Sequence, residues 1–319
     1  MKGYSGLRWV LLAPLLLVLT VCTSPPEPFR VGTNIWLGYE PLYLAQSMGY
    51  YDDLPIRMVT MNNATEVQRA LRSGMLEAAA LTLDEALSVK EDGFDIKVVL
   101  VMDFSRGADV LLSRPGIKSL ADLRGKKVGV ESSAVGAVLL HGALEAAGLT
   151  ISDVSLVHLT IDQHQHAYET GEVDAVVTFE PVRTQLLNAG ARVLFDSRLI
   201  PDRIVDVLVT RSDVSKRHGD MLAQLIDGHF SAVKYINDRP LEAAEKMTAR
   251  EGISAKAIVA AYEGLHIPGL DDNRRLLKGE SPDLAHSTRK LVDLMLKQGM
   301  LQKPVAVDGF FDNSWLPEN

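Results

Sequence analysis

A single cysteine, Cys22, in 319 residues excludes an intrachain disulfide, a cysteine-built zinc site and an iron–sulfur cluster. Positive charge is short: 33 Lys+Arg stand against 41 Asp+Glu, a formal charge of −8. With no basic stretch, that balance argues against a nucleic-acid protein. No Walker loop, G-x-S-x-G elbow or H-E-x-x-H pair occurs, and Gly125-Lys126-Lys127 reads as a turn into a strand. Among the eight histidines, only His164 and His166 lie close together, and two positions apart on a helix they face different sides. They read as surface or capping residues, and neither a metal nor a cofactor is expected. What is present is ordinary globular composition, 47% hydrophobic and 23% charged, which excludes disorder and is enough for about two domains or lobes.

The first residues read as a targeting segment. Lys2 and Arg8 precede an apolar run from Trp9 to Val21, too short to span a bilayer, which takes about 20 residues. This fits a signal peptide. Leu19-Thr20-Val21-Cys22 resembles a bacterial lipobox, in which the cysteine is lipidated and begins the mature chain; Val21 departs from the usual small residue. A plain secretory signal and an uncleaved anchor are the alternatives. Residues 1–22 are thus assigned to the signal with its lipobox, and 23–28, with Pro25, Pro26 and Pro28, to a short stiff tether. Cleavage before Cys22 leaves 31 basic against 41 acidic residues, a charge of −10. The expected location is periplasmic or extracytoplasmic, with the membrane reached through the lipid alone.

From Phe29 onward, apolar runs of strand length alternate with helical patterns. Strands are expected at 29–36, 56–61, 78–83, 97–102, 127–131, 155–160, 175–179 and 204–210. Helices fall between them, and Thr82 and Glu85 have capping-box spacing. The alternation implies an α/β fold of mostly parallel strands flanked by helices. After Asp213 the pattern is helical. Ser73-Gly74-Met75-Leu76-Glu77-Ala78 parallels Thr170-Gly171-Glu172-Val173-Asp174-Ala175, which supports two similar lobes. Crossovers are expected near Ser113 and Thr210, giving 29–113 plus 211–319 as one lobe and 114–210 as the other.

Four stretches carry a family resemblance: Val31-Gly32-Thr33-Asn34-Ile35-Trp36-Leu37-Gly38-Tyr39-Glu40-Pro41, Gly74 to Ala80, Ile117 to Val130, and Gly171 to Pro181. In order and spacing, over about residues 29–235, the chain resembles the solute-binding proteins of bacterial ABC importers. The branch is the one for nitrate, sulfonates, taurine and thiamine-related pyrimidines. The resemblance implies a type II periplasmic-binding-protein architecture, with two lobes closing on a ligand and no catalysis. Fungal thiamine-pyrimidine enzymes on a similar fold use a cysteine-rich motif that this chain lacks. The implied partners are a small molecule and an ABC permease; a membrane sensor protein is the alternative.

In open α/β sheets, ligands sit beyond the carboxyl ends of the strands. That rule selects Asn34, Trp36, Tyr39, Asn62, Thr82, Asp103, Glu131, Ser132, Ser133, Thr178 and Glu180 as ligand-binding candidates. Ser132 and Ser133 form a small polar turn into a helix, suited to an acceptor oxygen or to capping. Trp36 and Tyr39 offer flat rings. At these strand ends Glu40, Asp84, Glu85, Asp103, Asp109, Glu131 and Glu180 face only Arg106. The excess of acids points to a neutral or cationic nitrogen-containing solute.

Overall fold

The computed structural model describes residues 27–131, 135–278 and 283–318. Cys22, Ser132 and Ser133 lie outside them. The first lobe begins as β1 (Phe29–Thr33), α1 (Glu40–Ser47), β2 (Ile56–Thr60), α2 (Ala64–Arg72), β3 (Ala78–Thr82), α3 (Leu83–Glu91) and β4 (Ile96–Ser105). Local signals account for these elements. Asn63 accepts from Glu66 N at 3.0 Å and so starts α2, whose Val67, Ala70 and Leu71 are buried. Thr82 N donates to Glu85 Oε2 at 3.0 Å, closing the expected capping box of α3.

The chain then crosses to a second sheet through 106–109. It forms β5 (Val110–Ser113), β6 (Lys127–Val130), α4 (Val135–Ala146), β7 (Ser155–His158), α5 (Ile161–Thr170), β8 (Ala175–Thr178), α6 (Val182–Asn188) and β9 (Arg192–Asp196). It returns through 197–204 into β10 (Val205–Arg211). The remainder is α7 (Ser212–Arg217), α8 (Gly219–Asp238), α9 (Pro240–Glu251), α10 (Ala255–Tyr262), β11 (Leu265–His266), α11 (Leu270–Leu277) and α12 (Asp283–Lys297).

The first sheet has the order β11-β4-β10-β3-β1-β2, and the second β7-β6-β8-β5-β9. Two expectations are corrected. Val110–Ser113 pairs with β8 and β9, and Val205–Arg211 pairs with β3 and β4. The crossovers therefore precede Val110 and Val205 rather than lying at Ser113 and Thr210. Most strands of each sheet run one way, as expected, with β10 antiparallel to both its long neighbours and β5 antiparallel to both of its own. An apolar run shows only its sequence neighbours, whereas the hydrogen-bonding partners of β5 and β10 lie in distant segments.

The repeat has a structural counterpart. Glu77, before β3, accepts from Arg30 N of β1 at 2.8 Å, and Asp174, before β8, accepts from Lys127 N of β6 at 2.9 Å. In each lobe the acid supplies an acceptor to the strand beside it.

Both sheets are covered on two faces, which explains their continuous apolar strands. Along β3, Ala78 and Ala80 face one core, while Ala79 and Leu81 face the other. The C-terminal helices close both faces of the first sheet: Leu222, Ile226, Met247 and Ile258 on one, Leu284, Leu291 and Met295 on the other. Close approach of α8 needs Gly228, where a Cβ would lie 2.5 Å from the Tyr51 ring.

Candidate functional site

Strand register gathers the acids. Asp206, at the amino end of β10, pairs with Thr82 of β3 on one side and with Asp103 of β4 on the other. A hydroxyl and two carboxyls thus form one row across three strands. The loop after β1 drops onto this row. Trp36 Nε1 donates to Asp103 Oδ2 at 3.0 Å, and Tyr39 Oη donates to Asp206 Oδ1 at 2.5 Å. Gly38 permits the approach, since a Cβ there would sit 1.7 Å from Asp103 Oδ2.

A cavity of about 20 Å³, room for about one water, lies against this row, between the lobes. The first lobe contributes Asn34, Trp36, Tyr39, Ala64, Thr82, Glu85 and Asp206 to its lining. The second contributes Glu131 and Phe179, and the two crossovers contribute Asp109 and Ile204. Contacts between the lobes flank it. Thr65 Oγ1 donates to Glu131 Oε1 at 3.2 Å, and Asn63 Nδ2 points at Asp162 Oδ1 at 3.5 Å. Trp36 meets Phe179 edge-on, with ring centroids 5.2 Å apart at 87°. Glu131 thereby occupies the amino end of α2, where the helix dipole and free N–H groups favour a negative charge.

Burial dominates the electrostatics. It pushes Asp103, Asp109 and Glu131 each up to about 7. Asp206 rises well above the carboxylate range through burial and then through the charge of Asp103; Glu85 rises through burial and then through Asp84. One oxygen of each of Asp103, Asp109 and Asp206 is buried without a donor. Among the described residues, no lysine or arginine lines the cavity. Arg250 of α9 reaches the back of the first loop, but its contacts are internal. It pairs with Glu40 at 3.1 Å, donates to Thr33 Oγ1 at 3.0 Å and to Asn34 O at 3.1 Å, and stacks on Tyr43.

Of the candidates read from the sequence, Asn34, Trp36, Tyr39, Thr82 and Glu131 line the cavity, and Asp103 lies behind Trp36. Five are placed elsewhere or not described. Asn62 is exposed and contacts Glu66, while its neighbour Asn63 is the buried one turned to the cleft. Thr178 is buried against His164 Nδ1 at 3.2 Å, so His164 is an interior residue and not a surface or capping one. Both oxygens of Glu180 are engaged: Arg183 Nη1 and the Thr184 hydroxyl bond one at 3.1 and 3.0 Å, and Thr184 N bonds the other at 3.0 Å. Glu180 is absent from the cavity lining. Ser132 and Ser133 lie outside the described residues.

The sequence reading missed Asp206, Asp109, Glu85 and Phe179 as lining residues. Glu85 and Asp109 were visible as strand-end acids. Asp206 carried no such signal, because its strand runs the other way and presents its amino end to the cleft.

The NMT1-like family profile matches residues 23–251. A Bacillus subtilis (strain 168) protein assigned to aliphatic-sulfonate binding is 21% identical over 299 residues, covering 91% of this chain and 87% of that protein. The periplasmic aliphatic sulphonate-binding protein SsuA of Escherichia coli superposes with a TM-score of 0.72 at 22% identity, over 89% of this chain and 96% of that one. The alkanesulfonate-binding protein SsuA of Xanthomonas axonopodis pv. citri, bound to MOPS, gives 0.77 at 18% identity, over 89% and 97%. The fold is that of the periplasmic binding proteins, as the resemblance implied.

Proposed function

The chain belongs to the NMT1-like family, and from that premise we propose that it is an extracytoplasmic solute-binding protein, which captures a small molecule between its lobes and delivers it to an ABC permease. One observation carries the reading: the cavity is walled by both lobes, with Trp36 and Asp206 on one side and Glu131 and Phe179 on the other. A ligand touching both walls favours the closed arrangement by the difference in contacts it makes there.

Binding rather than catalysis is supported by the relatives named above being binding proteins, although the desulfurization enzyme DSZB shares the fold. Their names bring aliphatic sulfonates forward as ligands to test first. The lining argues for a different class. Sulfonate oxygens are acceptors and call for cations or N–H donors, and four of the eleven side chains gathered here are carboxyls while none is a lysine or arginine. The nitrogen-containing solute expected from the sequence fits them better. Lipidation at Cys22 is the proposed route to the membrane.

The reading is tested by a thermal-shift screen of amines and sulfonates alike, followed by small-angle scattering with any ligand found. A ligand at 100 times its Kd should add about 2.7 kcal/mol to stability and reduce the radius of gyration. An unchanged radius at proven saturation would refute capture by closure.

A further inference from the structure

We propose that Arg250 of α9 is a positioning residue of the cleft: it fixes the loop that carries Asn34, Trp36 and Tyr39, and it is kept in place by Glu40 and Glu251, two buried carboxyls that share one proton. The clamp deepens the solute-binding reading above, yet it is tested on the ligand-free chain, so the two can fail separately.

After Thr33 the loop leaves the hydrogen-bond ladder of the sheet, and its buried carbonyls need other donors. Side chains from far along the chain supply them. Arg250 Nη2 donates to Asn34 O at 3.1 Å and to Thr33 Oγ1 at 3.0 Å, and Tyr262 Oη of α10 donates to Leu37 O at 2.9 Å. The guanidinium lies over the Tyr43 ring, 3.6 Å from its centroid. Tyr43 Oη is in turn hydrogen-bonded to Thr33 Oγ1 at 2.7 Å. A rigid planar fork held at its face and at its edge has one orientation. Arg250 thus fixes the loop's backbone, while Asp103 and Asp206 take the side chains of Trp36 and Tyr39.

Arg250 has a holder of its own. Its Nε lies 3.1 Å from Glu40 Oε1 at the start of α1, and Glu40 is hydrogen-bonded to Glu251. Both acids are 1% exposed. Among the described residues, no N–H group or hydroxyl reaches either oxygen of Glu251, so its partner is the Glu40 carboxyl. Two carboxyls bond to each other only when one of them is protonated. With one proton between them they carry a single negative charge, which matches the single positive charge of Arg250. Loss of that proton would bury a second anion beside one cation. The other groups facing the pair do not offset it. Glu180 of the second lobe, itself paired with Arg183, adds negative charge at Glu251, and burial keeps the Tyr262 hydroxyl neutral. Burial raises both acids, and the charge of Glu40 raises Glu251 further, to about 9. Above that the pair becomes a dianion, draws the guanidinium onto itself and releases Asn34 O.

Fluorine magnetic resonance of the full chain in detergent, labelled with 5-fluorotryptophan, reads the loop at Trp36 and uses Trp315 as the internal control; Trp36→Phe assigns the signal. In the unchanged chain the Trp36 resonance should shift in a step near pH 9, and Glu251→Gln, which keeps a neutral partner for Glu40, should abolish the step. Arg250→Lys keeps the charge and loses the fork, so at pH 7 it should give Trp36 a second resonance from the released loop and leave Trp315 unmoved. Absence of the step, or its survival in Glu251→Gln, would overturn the shared proton; the first of these needs no substituted chain to fold. An unmoved Trp36 resonance in Arg250→Lys, or equal movement of Trp36 and Trp315, would overturn the positioning role.

Discussion

The Thr65 hydroxyl at the start of α2 donates to Glu131 beyond β6, a 3.2 Å hydrogen bond that ties one lobe to the other beside the cavity. Because the two residues belong to different lobes, the proposed opening of the cleft would break the bond. Thr65→Val keeps the side-chain shape and removes the donor. The loss of a hydrogen bond of this kind is worth about 1 kcal/mol, so the closed-to-open ratio should fall roughly fivefold. Single-molecule energy transfer between dyes on α2 and α5 reads that ratio. An unchanged distribution would show that closure is governed elsewhere.

Acidity should act on the ligand-free chain in a defined direction. Burial holds Asp103, Asp109 and Glu131 each at about 7, against roughly 4 for unfolded carboxyls. Acids raised in this way stabilise the fold when protonated. Their contribution is complete below the unfolded value and is lost as the pH rises through about 7. The melting temperature should therefore be higher at pH 6 than at pH 8. It should fall again below about pH 4 as acids such as Asp196, held low by its hydrogen bonds from Arg198, are protonated. Asp109→Asn should flatten the slope between pH 6 and 8. A melting temperature that rises from pH 6 to 8 would contradict the desolvated cluster.

Glu180 separates a structural acid from a ligand acid. Its oxygens are taken by Arg183 and Thr184, so Glu180→Ala should lower stability by about 1–2 kcal/mol, as loss of a helix-end acceptor does. Ligand affinity should change less than threefold. A tenfold loss of affinity with unchanged stability would return Glu180 to the binding site.

The proposed anchor is tested by fractionation. Cys22→Ser should shift the protein out of the membrane fraction or leave its signal segment uncleaved. Unchanged partitioning together with unchanged mass would exclude lipidation.

Much of the fold could be read from residues close together in the chain. The apolar alternation of β1, the cap and box at Asn63 and Thr82, and the acid before each of β3 and β8 are local patterns, set by contacts within a turn or between neighbouring strands. They sufficed for the α/β class, for the order of the early elements and for the family resemblance. The loop carrying Asn34, Trp36 and Tyr39 was legible for the same reason, since it follows directly from the first strand.

Tertiary structure alone decided which way the late strand runs and which acids meet. Asp206 enters the cleft because β10 inserts backwards between β3 and β4; reversal exchanges the end of a strand that faces the ligand, and no local periodicity encodes it. The same holds for β5, whose partners β8 and β9 come much later in the chain. The side chains of Asn62 and Glu180 turned away for a related reason: each found partners on its adjoining helix, and one residue of rotation brought Asn63 to the cleft instead. Strand pairing and side-chain direction depend on hydrogen-bond partners distant in sequence, so the identity of the acids was present in the chain while their convergence on one cavity arose only when the sheets assembled.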